Sequence, residues 1–350
     1  MKAIVLSAPR VLSVQDAERP SPGPGEALVR VHQAGICGSD MHLYRHGRIG
    51  AIVLDEPLVM GHECMGHVEA VGPGVDDSLV GARVAVEPAI PCGRCRWCTG
   101  GLYNVCPGLP FLGLPGRPGG FQEYLGHPAH LLEVLPDGVS DEAGVVLEPL
   151  AIAMHAVNLS KVRPGQRVAI LGTGVMGTCV LMVLGLYRGL HVVCADLRPD
   201  RLARAEAMGA AQTVPVRAAE PDAAPAERLR EALGGHGADI VFECAGAHQT
   251  IWNACEIAAP GGHVMFIGSS EDDRVIYSSG TARRCGLTLR AVRRSLNTLR
   301  PCLDLCAEGM MDPGALVTHT FAARDAAGAF EAVERAEDGL LKAVVDLRQW

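Results

Sequence analysis

Apolar and polar positions follow two different patterns along the 350 residues of the chain. Residues 1 to about 90 carry short apolar runs, such as 27–31 and 84–86, between turns that are rich in proline and glycine. Short runs between turn residues are typical of β-strands. The pattern therefore predicts a small, partly antiparallel β domain in this part of the chain.

From about residue 150 to 290, short apolar runs alternate with longer segments of helical pattern. The predicted strands are 168–171, 191–195, 240–243 and 263–267, and the predicted helices are 178–187, 201–208 and 250–258. Regular alternation of strands and helices indicates a parallel sheet covered by helices. The fold class predicted for this part is therefore α/β.

The remaining segments complete the prediction. The stretch 213–228 is rich in alanine and proline, which favours a surface connection. Beyond residue 290 the pattern predicts helices at 298–308 and 326–336 and a final strand at 342–346.

A glycine-rich turn follows the predicted strand 168–171. It contains Gly172, Gly174 and Gly177, and the next predicted strand ends at Asp196, nineteen residues after Gly177. This arrangement is the dinucleotide-binding fingerprint, in which backbone N–H groups at a helix N-terminus approach a pyrophosphate. A carboxylate at Asp196 can accept hydrogen bonds from ribose hydroxyls and would repel a 2′-phosphate. The predicted cofactor is NAD, bound by Gly172, Gly174, Val175, Met176, Gly177 and Asp196.

Two other interpretations apply to the same stretch. Residues 168–187 are uncharged and long enough to suggest a membrane span. The three glycines interrupt the run, and its flanks resemble those of a soluble protein, so a span is disfavoured. A glycine-rich turn without a nucleotide stays open, since glycine also serves ordinary strand-to-helix turns.

Composition narrows the class of protein. Hydrophobic residues make up 48% of the chain, aromatic residues 4%, and the formal net charge is −8. A chain of this length predicts about two domains, and the lack of a basic block disfavours nucleic acid as a partner. The apolar run at the N-terminus is too short for a signal peptide, so we expect a cytoplasmic protein with reduced thiols. Its 13 cysteines then suggest metal ligands or buried packing residues.

The strongest local signal is a group of four closely spaced cysteines, Cys92, Cys95, Cys98 and Cys106, with turn residues between them. Four thiolates at this spacing can surround a zinc ion tetrahedrally, which is typical of a structural site. Four reduced cysteines or two disulfides in a surface loop are the alternatives.

A second candidate metal site combines Cys37, His62, Glu63 and the distant Glu148. One thiolate, one imidazole and one or two carboxylates suit zinc and leave a position for water or substrate. Each of these residues alone is more often structural than functional. Their combination predicts a catalytic zinc.

Taken together, these motifs resemble those of the zinc-dependent medium-chain alcohol dehydrogenases, and most of all the sorbitol/polyol and threonine dehydrogenase branch. The resemblance covers nearly the whole chain and rests on residues 37–42, 61–63, the four cysteines, 119–124, 148–150 with 155–156, and 172–177. It implies a GroES-like β-rich catalytic domain from residues 1–150 and 290–350. It also implies a Rossmann domain at 151–289, two zinc ions per chain and a homo-oligomer, either dimer or tetramer.

The resemblance also implies roles for individual residues. Cys37 and His62 would be ligands of the catalytic zinc, and Glu63 is a ligand in the polyol branch. Glu148 stands where many alcohol dehydrogenases have a second cysteine, and it would ligate zinc directly or through water. Asp40 would hold the other ring nitrogen of His62.

Further roles concern the proton and the substrate. Ser39 would pass the substrate hydroxyl proton toward the ribose hydroxyls of the cofactor and His42, which can release it to solvent. Tyr44, Arg293 and Asn297 are candidate substrate contacts by looser similarity.

The resulting hypothesis is hydride transfer between NAD and a secondary alcohol of a polyol, sugar, cyclitol or aminocyclitol. The predicted partner is therefore a small-molecule alcohol, with neither nucleic acid nor a membrane. Two alternatives stay open: oxidation of an amino alcohol in the manner of L-threonine 3-dehydrogenase, and a non-catalytic protein that binds NAD and zinc on the same fold.

Overall fold

The computed structural model describes residues 1–217, 223–270 and 274–350. The chain forms two compact units. Unit 1 comprises Met1–Glu148 and Leu299–Trp350, and unit 2 comprises Pro149–Thr298.

The bounds of the elements are as follows. The strands are β1 (Lys2–Ala8), β2 (Val11–Asp16), β3 (Glu26–Gly35), β4 (Arg48–Ile49), β5 (Ile52–Val53), β6 (Leu58–Val59), β7 (Glu63–Val71), β8 (Arg83–Val86), β9 (Tyr124–Pro128), β10 (Leu132–Val134), β11 (Arg167–Leu171), β12 (His191–Asp196), β13 (Gln212–Pro215), β14 (Ala238–Glu243), β15 (Ala258–Phe266), β16 (Thr288–Ala291), β17 (Val317–Ala322) and β18 (Lys342–Asp346). The α-helices are α1 (Gly38–His46), α2 (Arg96–Thr99), α3 (Asp141–Ser160), α4 (Val175–Leu184), α5 (Pro199–Ala207), α6 (Ala223–Ala232), α7 (His248–Ile257), α8 (Ser279–Arg284), α9 (Leu299–Ala307) and α10 (Ala326–Glu334). Short 3₁₀ turns lie at Asp77–Leu79, Tyr103–Val105, Ala129–Leu131, Pro313–Leu316 and Ala323–Asp325.

Unit 1 is built on a seven-stranded sheet with the order β10–β8–β7–β3–β18–β17, in which β9 also pairs with β3. Its pairs are antiparallel except β17 with β18. The core beside this sheet is mainly aliphatic, and the rings of Phe121 and Phe330 meet within it at 5.8 Å. The predicted partly antiparallel β domain is confirmed.

Unit 2 is a six-stranded parallel sheet with the order β13–β12–β11–β14–β15–β16. Residues 168–171 of β11 are all buried, as expected for a strand covered on both faces. The order reverses between β11 and β14, and such a switch point is where dinucleotides bind in Rossmann folds. The predicted parallel α/β sheet is confirmed.

Two details differ from the sequence prediction. Unit 2 extends to Thr298 rather than ending at 289, because β16 adds a sixth strand beside β15. The stretch 213–228 is more than a connection, since it contains the end of β13 and the start of α6. Its middle, 218–222, lies outside the described residues.

The uncharged run 168–187 is divided between β11 and the ten-residue helix α4, so it forms no continuous span. Among the described residues, one helix, α3, is long and apolar enough to cross a membrane. Its most apolar window is 83% buried within the protein. Core helices meet the same criterion, so α3 gives no membrane assignment.

Candidate metal centres and nucleotide turn

The four cysteines of the predicted zinc lobe come together. The Sγ atoms of Cys95 and Cys98 are 3.4 Å apart, those of Cys92 and Cys106 are 3.6 Å apart, and two further pairs lie at 3.8 and 3.9 Å. A tetrahedral zinc–thiolate site requires sulfur separations of about 3.8 Å, whereas a disulfide bond is only about 2 Å long. All four thiols are free. The arrangement therefore fits zinc and excludes the two-disulfide alternative.

The backbone at the start of the lobe favours the metal-binding form of Cys92. Gly93 takes a left-handed conformation (φ +68°), and Cys95 caps the N-terminus of α2. The backbone N–H groups of Arg94 and Cys95 lower the pKa of Cys92 to about 6. A lowered pKa favours the thiolate, which is the ligand form.

The second candidate site forms where two neighbouring strands meet. The last residue of β3, Gly35, pairs with the first residue of β7, Glu63. Cys37 follows the end of β3 and His62 precedes the start of β7, so the two meet at one edge of the sheet. The ligating atoms of Cys37, His62 and Glu63 all lie within 4.8 Å of one another. His62 and Glu63 are buried, at 4% and 2% exposure.

The turn before His62 requires a glycine. Gly61 has φ +92°, and a Cβ atom there would lie only 2.9 Å from the ring of Phe121. Any other residue would push this turn away from the core and displace His62.

Asp40 fixes both parts of the site. Its carboxylate accepts hydrogen bonds from the backbone N–H groups of Cys37 (3.0 Å) and Gly61 (3.3 Å). The same carboxylate lies 3.6 Å from Nδ1 of His62, which is ion-pair distance rather than a hydrogen bond. On the other side of the ring, Nε2 of His62 lies 3.3 Å from Oγ of Ser39. The ring is thus oriented with Nδ1 toward Asp40 and Nε2 toward Ser39.

A lysine that sequence reasoning missed completes the site. The ammonium group of Lys342 pairs with the carboxylate of Glu63 and donates a hydrogen bond to the carbonyl of Ile36 at 3.0 Å. Both charged side chains are buried, at 1% and 2% exposure. Gly35 leaves room for the pair, because a Cβ there would lie 2.5 Å from Oε2 of Glu63. The signal in the sequence was a single lysine inside the apolar run of β18.

Glu148, on α3, lies close to this site but outside its compact core. Its electrostatic neighbours are His62, Glu63, Cys37 and Glu87. The compact three-ligand group does not include it. Burial raises the pKa of Glu148 well above its usual value, so a free carboxylate is unfavourable there without a cation.

The charge balance around the site also favours a cation. Burial, followed by Glu63, raises the pKa of the Cys37 thiol to about 12, and burial raises that of Asp40. The buried acids in this region are Asp40, Glu63, Glu87 and Glu148. Against them stands the buried ammonium of Lys342. Buried charges need partners or a metal, and thiolate, imidazole and carboxylate are together a suitable zinc donor set.

The remaining predicted residues of this site fall into two groups. Ser39 and His42 are both half-buried on α1, three residues apart, and therefore lie on one face of the helix. Tyr44 is 4% exposed, and its ring packs 5.2 Å from that of Phe330 in the core of unit 1. Its contact with substrate stays a prediction, and the ring itself is committed to packing.

Arg293 and Asn297 belong to unit 2, in the segment between β16 and α9. Asn297 has a left-handed backbone with φ +54°. Their contact with substrate stays a prediction.

The glycine-rich turn has the close packing that its sequence predicts. Gly172 has φ +91°, and a Cβ there would lie 2.9 Å from the Cβ of Ala245. A Cβ on Gly177 would lie 2.0 Å from the carbonyl oxygen of Gly172. Gly174 caps the N-terminus of α4, which begins at Val175. Backbone N–H groups and a helix N-terminus are therefore available to a pyrophosphate.

Asp196 ends β12 and is held beside this turn. Its Oδ2 accepts hydrogen bonds from the backbone N–H (2.7 Å) and hydroxyl (3.1 Å) of Thr173, and its Oδ1 accepts one from the N–H of Arg198 (2.9 Å). The guanidinium of Arg201 lies 3.9 Å from Oδ2. Sequence reasoning placed Asp196 here but missed Thr173 and Arg201.

Comparison with known proteins gives a consistent result. Residues 23–137 match the family model of the alcohol dehydrogenase GroES-like domain, and residues 175–308 match that of zinc-binding dehydrogenases. The chain is 32% identical to sorbitol dehydrogenase of Bacillus subtilis (strain 168), covering 99% of this chain and 97% of that protein.

Two solved structures are similar over nearly their whole length. One is an alcohol dehydrogenase (rspB) from E. coli CFT073 complexed with NADH, with a TM-score of 0.90, 31% identity and 99% of each chain covered. The other is described as a zinc-binding dehydrogenase from Sinorhizobium meliloti 1021 bound to NADP. Its TM-score is 0.88 and its identity 30%, covering 99% of this chain and 98% of that one.

Proposed function

This chain belongs to the zinc-dependent medium-chain alcohol dehydrogenases, in their polyol branch, and we propose that it transfers hydride from a secondary alcohol of a polyol, sugar, cyclitol or aminocyclitol to NAD. The alcohol is bound by unit 1 and NAD by unit 2. The observation that carries the proposal is the buried cluster of Cys37, His62 and Glu63, whose ligating atoms lie within 4.8 Å of one another.

Cys37, His62 and Glu63 would hold the catalytic zinc, and Glu148 would bind it directly or through water. Three protein ligands leave a coordination position for the substrate, which is the arrangement of catalytic rather than structural zinc sites. When bound, zinc acts as a Lewis acid that lowers the pKa of the substrate hydroxyl. Cys92, Cys95, Cys98 and Cys106 would hold a second, structural zinc.

The chain's own residues move the proton. The Oγ of Ser39 is adjacent to the imidazole of His62, at 3.3 Å, and can relay the hydroxyl proton of a bound alcohol by accepting it while releasing its own proton onward. His42 lies on the same face of α1 and is half-buried. Imidazole is the side chain most used for proton transfer in proteins, so we assign to His42 the release of the proton to solvent.

For the cofactor, Gly172, Gly174, Val175, Met176 and Gly177 would hold the pyrophosphate through the backbone. Asp196 would bind the ribose hydroxyls of the adenosine. Its negative charge opposes a 2′-phosphate, which favours NAD over NADP. The guanidinium of Arg201 lies 3.9 Å from that carboxylate and would attract a 2′-phosphate. The preference for NAD therefore depends on the repulsion by Asp196 being stronger than this attraction.

The proposal includes the cellular location and the oligomeric state of the enzyme. All 13 cysteines are free thiols, which accords with the reducing environment of the cytoplasm. We expect a homo-oligomer, a dimer or a tetramer, as the family resemblance implies.

The test is NADH formation by the purified, zinc-loaded protein on a substrate panel. The panel comprises sorbitol, xylitol, galactitol, inositols, aminocyclitols, free sugars and L-threonine. Turnover of one polyol or sugar supports the proposal, and turnover of L-threonine alone assigns the amino-alcohol alternative. A protein that binds NADH and zinc but turns over no alcohol on the panel favours the non-catalytic binding protein.

A further inference from the structure

Glu243 is a fully buried carboxyl group that the proposed chemistry does not use. It ends β14 and has 0% exposure. Its Oε1 accepts three hydrogen bonds: from the backbone N–H of Ala245 (2.9 Å), the N–H of Gly246 (2.8 Å) and the hydroxyl of Thr250 (2.7 Å). One oxygen atom therefore joins the end of a strand, the following loop and the first turn of α7.

The loop held by Glu243 is packed tightly between two neighbours. Ala245 contacts the glycine-rich turn so closely that a Cβ at Gly172 would lie 2.9 Å from the Cβ of Ala245. On the other side, a Cβ at Gly246 would lie 2.3 Å from the carbonyl oxygen of Ser269, which follows β15. Gly246 also has φ +71°. This packing restricts the loop on both sides, and Glu243 holds its N–H groups in place.

The position of the loop relates it to the dinucleotide. It lies at the carboxyl end of β14, next to β11, where the strand order of the sheet reverses. Asp196 lies on the other side of β11, at the end of β12. A dinucleotide bound across the switch point with its adenosine ribose at Asp196 therefore has its second nucleotide over β14. Ala245 and Ala247 are exposed at that end of the sheet.

We propose that Glu243 is a positioning residue for the nicotinamide half of the cofactor. Its carboxyl group holds the backbone of residues 245–246 and the first turn of α7 as one wall of the nicotinamide site. The inference rests on the dinucleotide binding of the proposed function.

The environment of the carboxyl group indicates which substitutions it tolerates. Its second oxygen, Oε2, is buried and has no hydrogen-bond partner among the described residues. Burial raises the pKa of Glu243, which favours the neutral acid. A glutamine offers the same accepting oxygen without charge, so Glu243→Gln is the conservative variant and Glu243→Ala the disruptive one.

The experiment compares the dissociation constants of NADH and AMP for the zinc-loaded protein. We expect Glu243→Ala to weaken NADH binding by about tenfold, because the N–H groups of Ala245 and Gly246 lose their acceptor. AMP occupies the adenosine side, so its binding should change by less than about twofold. Glu243→Gln should restore NADH binding to within about threefold of the wild type.

Two further variants complete the design. Thr250→Val removes one hydrogen-bond donor to Glu243 and keeps the side chain's volume. It should weaken NADH binding slightly and leave AMP binding unchanged. This variant tests the inference even if Glu243→Ala does not fold. Glu256→Gln is the control, because this carboxylate lies at the other end of α7 and pairs with Arg230 at 3.5 Å. It should leave the dissociation constants of both NADH and AMP unchanged.

The outcomes separate this inference from the function on which it rests. If Glu243→Ala binds NADH as strongly as the wild type, this inference is overturned while the proposed function stands. If Glu243→Ala does not fold, the same conclusion follows from NADH binding at wild-type strength by Thr250→Val. Equal weakening of NADH and AMP also overturns it, since the effect would then be general. A wild-type protein that binds neither ligand overturns the proposed function as well.

Discussion

The ammonium group of Lys342 pairs with the carboxylate of Glu63, and the two are separated by 279 residues of sequence. The same ammonium donates a hydrogen bond to the carbonyl of Ile36, next to Cys37. β18 is hydrogen-bonded to β3 in antiparallel register, with Val344 opposite Gly35. The C-terminal strand thus supplies the buried positive charge beside two of the proposed zinc ligands.

This pair predicts a large cost of removing one partner. Lys342→Met leaves the Glu63 carboxylate buried without its counter-ion, which should lower the free energy of unfolding of the zinc-free protein by roughly 3–5 kcal/mol. The double variant Lys342→Met/Glu63→Gln removes both charges and should recover most of that loss. Urea unfolding of the wild type, the two single variants and the double variant measures the coupling.

The control for this cycle is an exposed ion pair. Arg335 and Glu337 lie 2.8 Å apart with side chains 60% and 42% exposed. Arg335→Ala should change the stability by less than about 1 kcal/mol. If Lys342→Met is no more damaging than this control, the buried pair does not stabilise the fold in the way argued.

The four-cysteine lobe should be structural. Cys98→Ser should remove one of two zinc ions per chain and lower the melting temperature, because the lobe loses a ligand of a closed site. NADH binding should persist. Metal analysis and thermal unfolding measure these effects, with Cys285→Ser, a half-buried cysteine outside both clusters, as the matched control. Loss of activity with unchanged melting temperature and lobe zinc would refute the structural role.

Asp196 should determine the choice of cofactor. Asp196→Ala removes the carboxylate that binds ribose hydroxyls and opposes a 2′-phosphate. NADH binding should therefore weaken by about tenfold, and NADPH binding should weaken much less. With Asp196 absent, Arg201 should then contribute to NADPH binding, and Arg201→Ala in that background should weaken NADPH. Fluorescence titration of NADH and NADPH against the wild type, the single variant and the double variant gives the dissociation constants. Equal weakening of both cofactors by Asp196→Ala would contradict the ribose assignment.

A buried histidine should make the protein sensitive to acid. Burial lowers the pKa of His127 from 6.5 to about 3, and its Nε2 lies 2.9 Å from the carbonyl oxygen of Glu87. The folded protein keeps this ring neutral, whereas the unfolded chain protonates it below pH 6.5. Its contribution to stability is therefore complete above that pH and is lost as the pH falls toward about 3.

The total loss from this one residue is on the order of 5 kcal/mol. His127→Gln keeps an N–H donor for the Glu87 carbonyl but has no such titration. Urea midpoints measured between neutral and acid pH should fall less steeply for His127→Gln than for the wild type. Parallel pH profiles for the two proteins would rule out His127 as a source of acid sensitivity.

The parts of the site that sequence predicted are those fixed by short-range spacing. The four cysteines from 92 to 106 and the glycines from 172 to 177 each occupy one turn or loop, so their spacing carries their geometry. Cys37 and His62 are also recognisable, because each belongs to a short motif, 37–42 or 61–63, on which the family resemblance rests. Asp196 is placed by the length of one strand–helix–strand unit.

The rest depends on packing between distant segments or on the face of a helix. Lys342 meets Glu63 only because β18 inserts beside β3, which no local pattern indicates. Tyr44 lies two residues after His42, yet that step turns it from the helix face shared by Ser39 and His42 into the core. Glu243 acts through backbone N–H groups, for which a sequence has no signature. These are the places where tertiary structure supplied what sequence could not.

The most direct test of the account compares the wild type with Cys37→Ser. We predict two zinc ions per wild-type chain and chelator-sensitive NADH formation from a polyol, restored by added zinc. Cys37→Ser should keep the lobe zinc, NADH binding and melting temperature close to those of the wild type, and should lose turnover. Turnover by Cys37→Ser at the wild-type rate, or wild-type turnover that survives complete removal of zinc, would contradict catalysis at the Cys37, His62 and Glu63 centre.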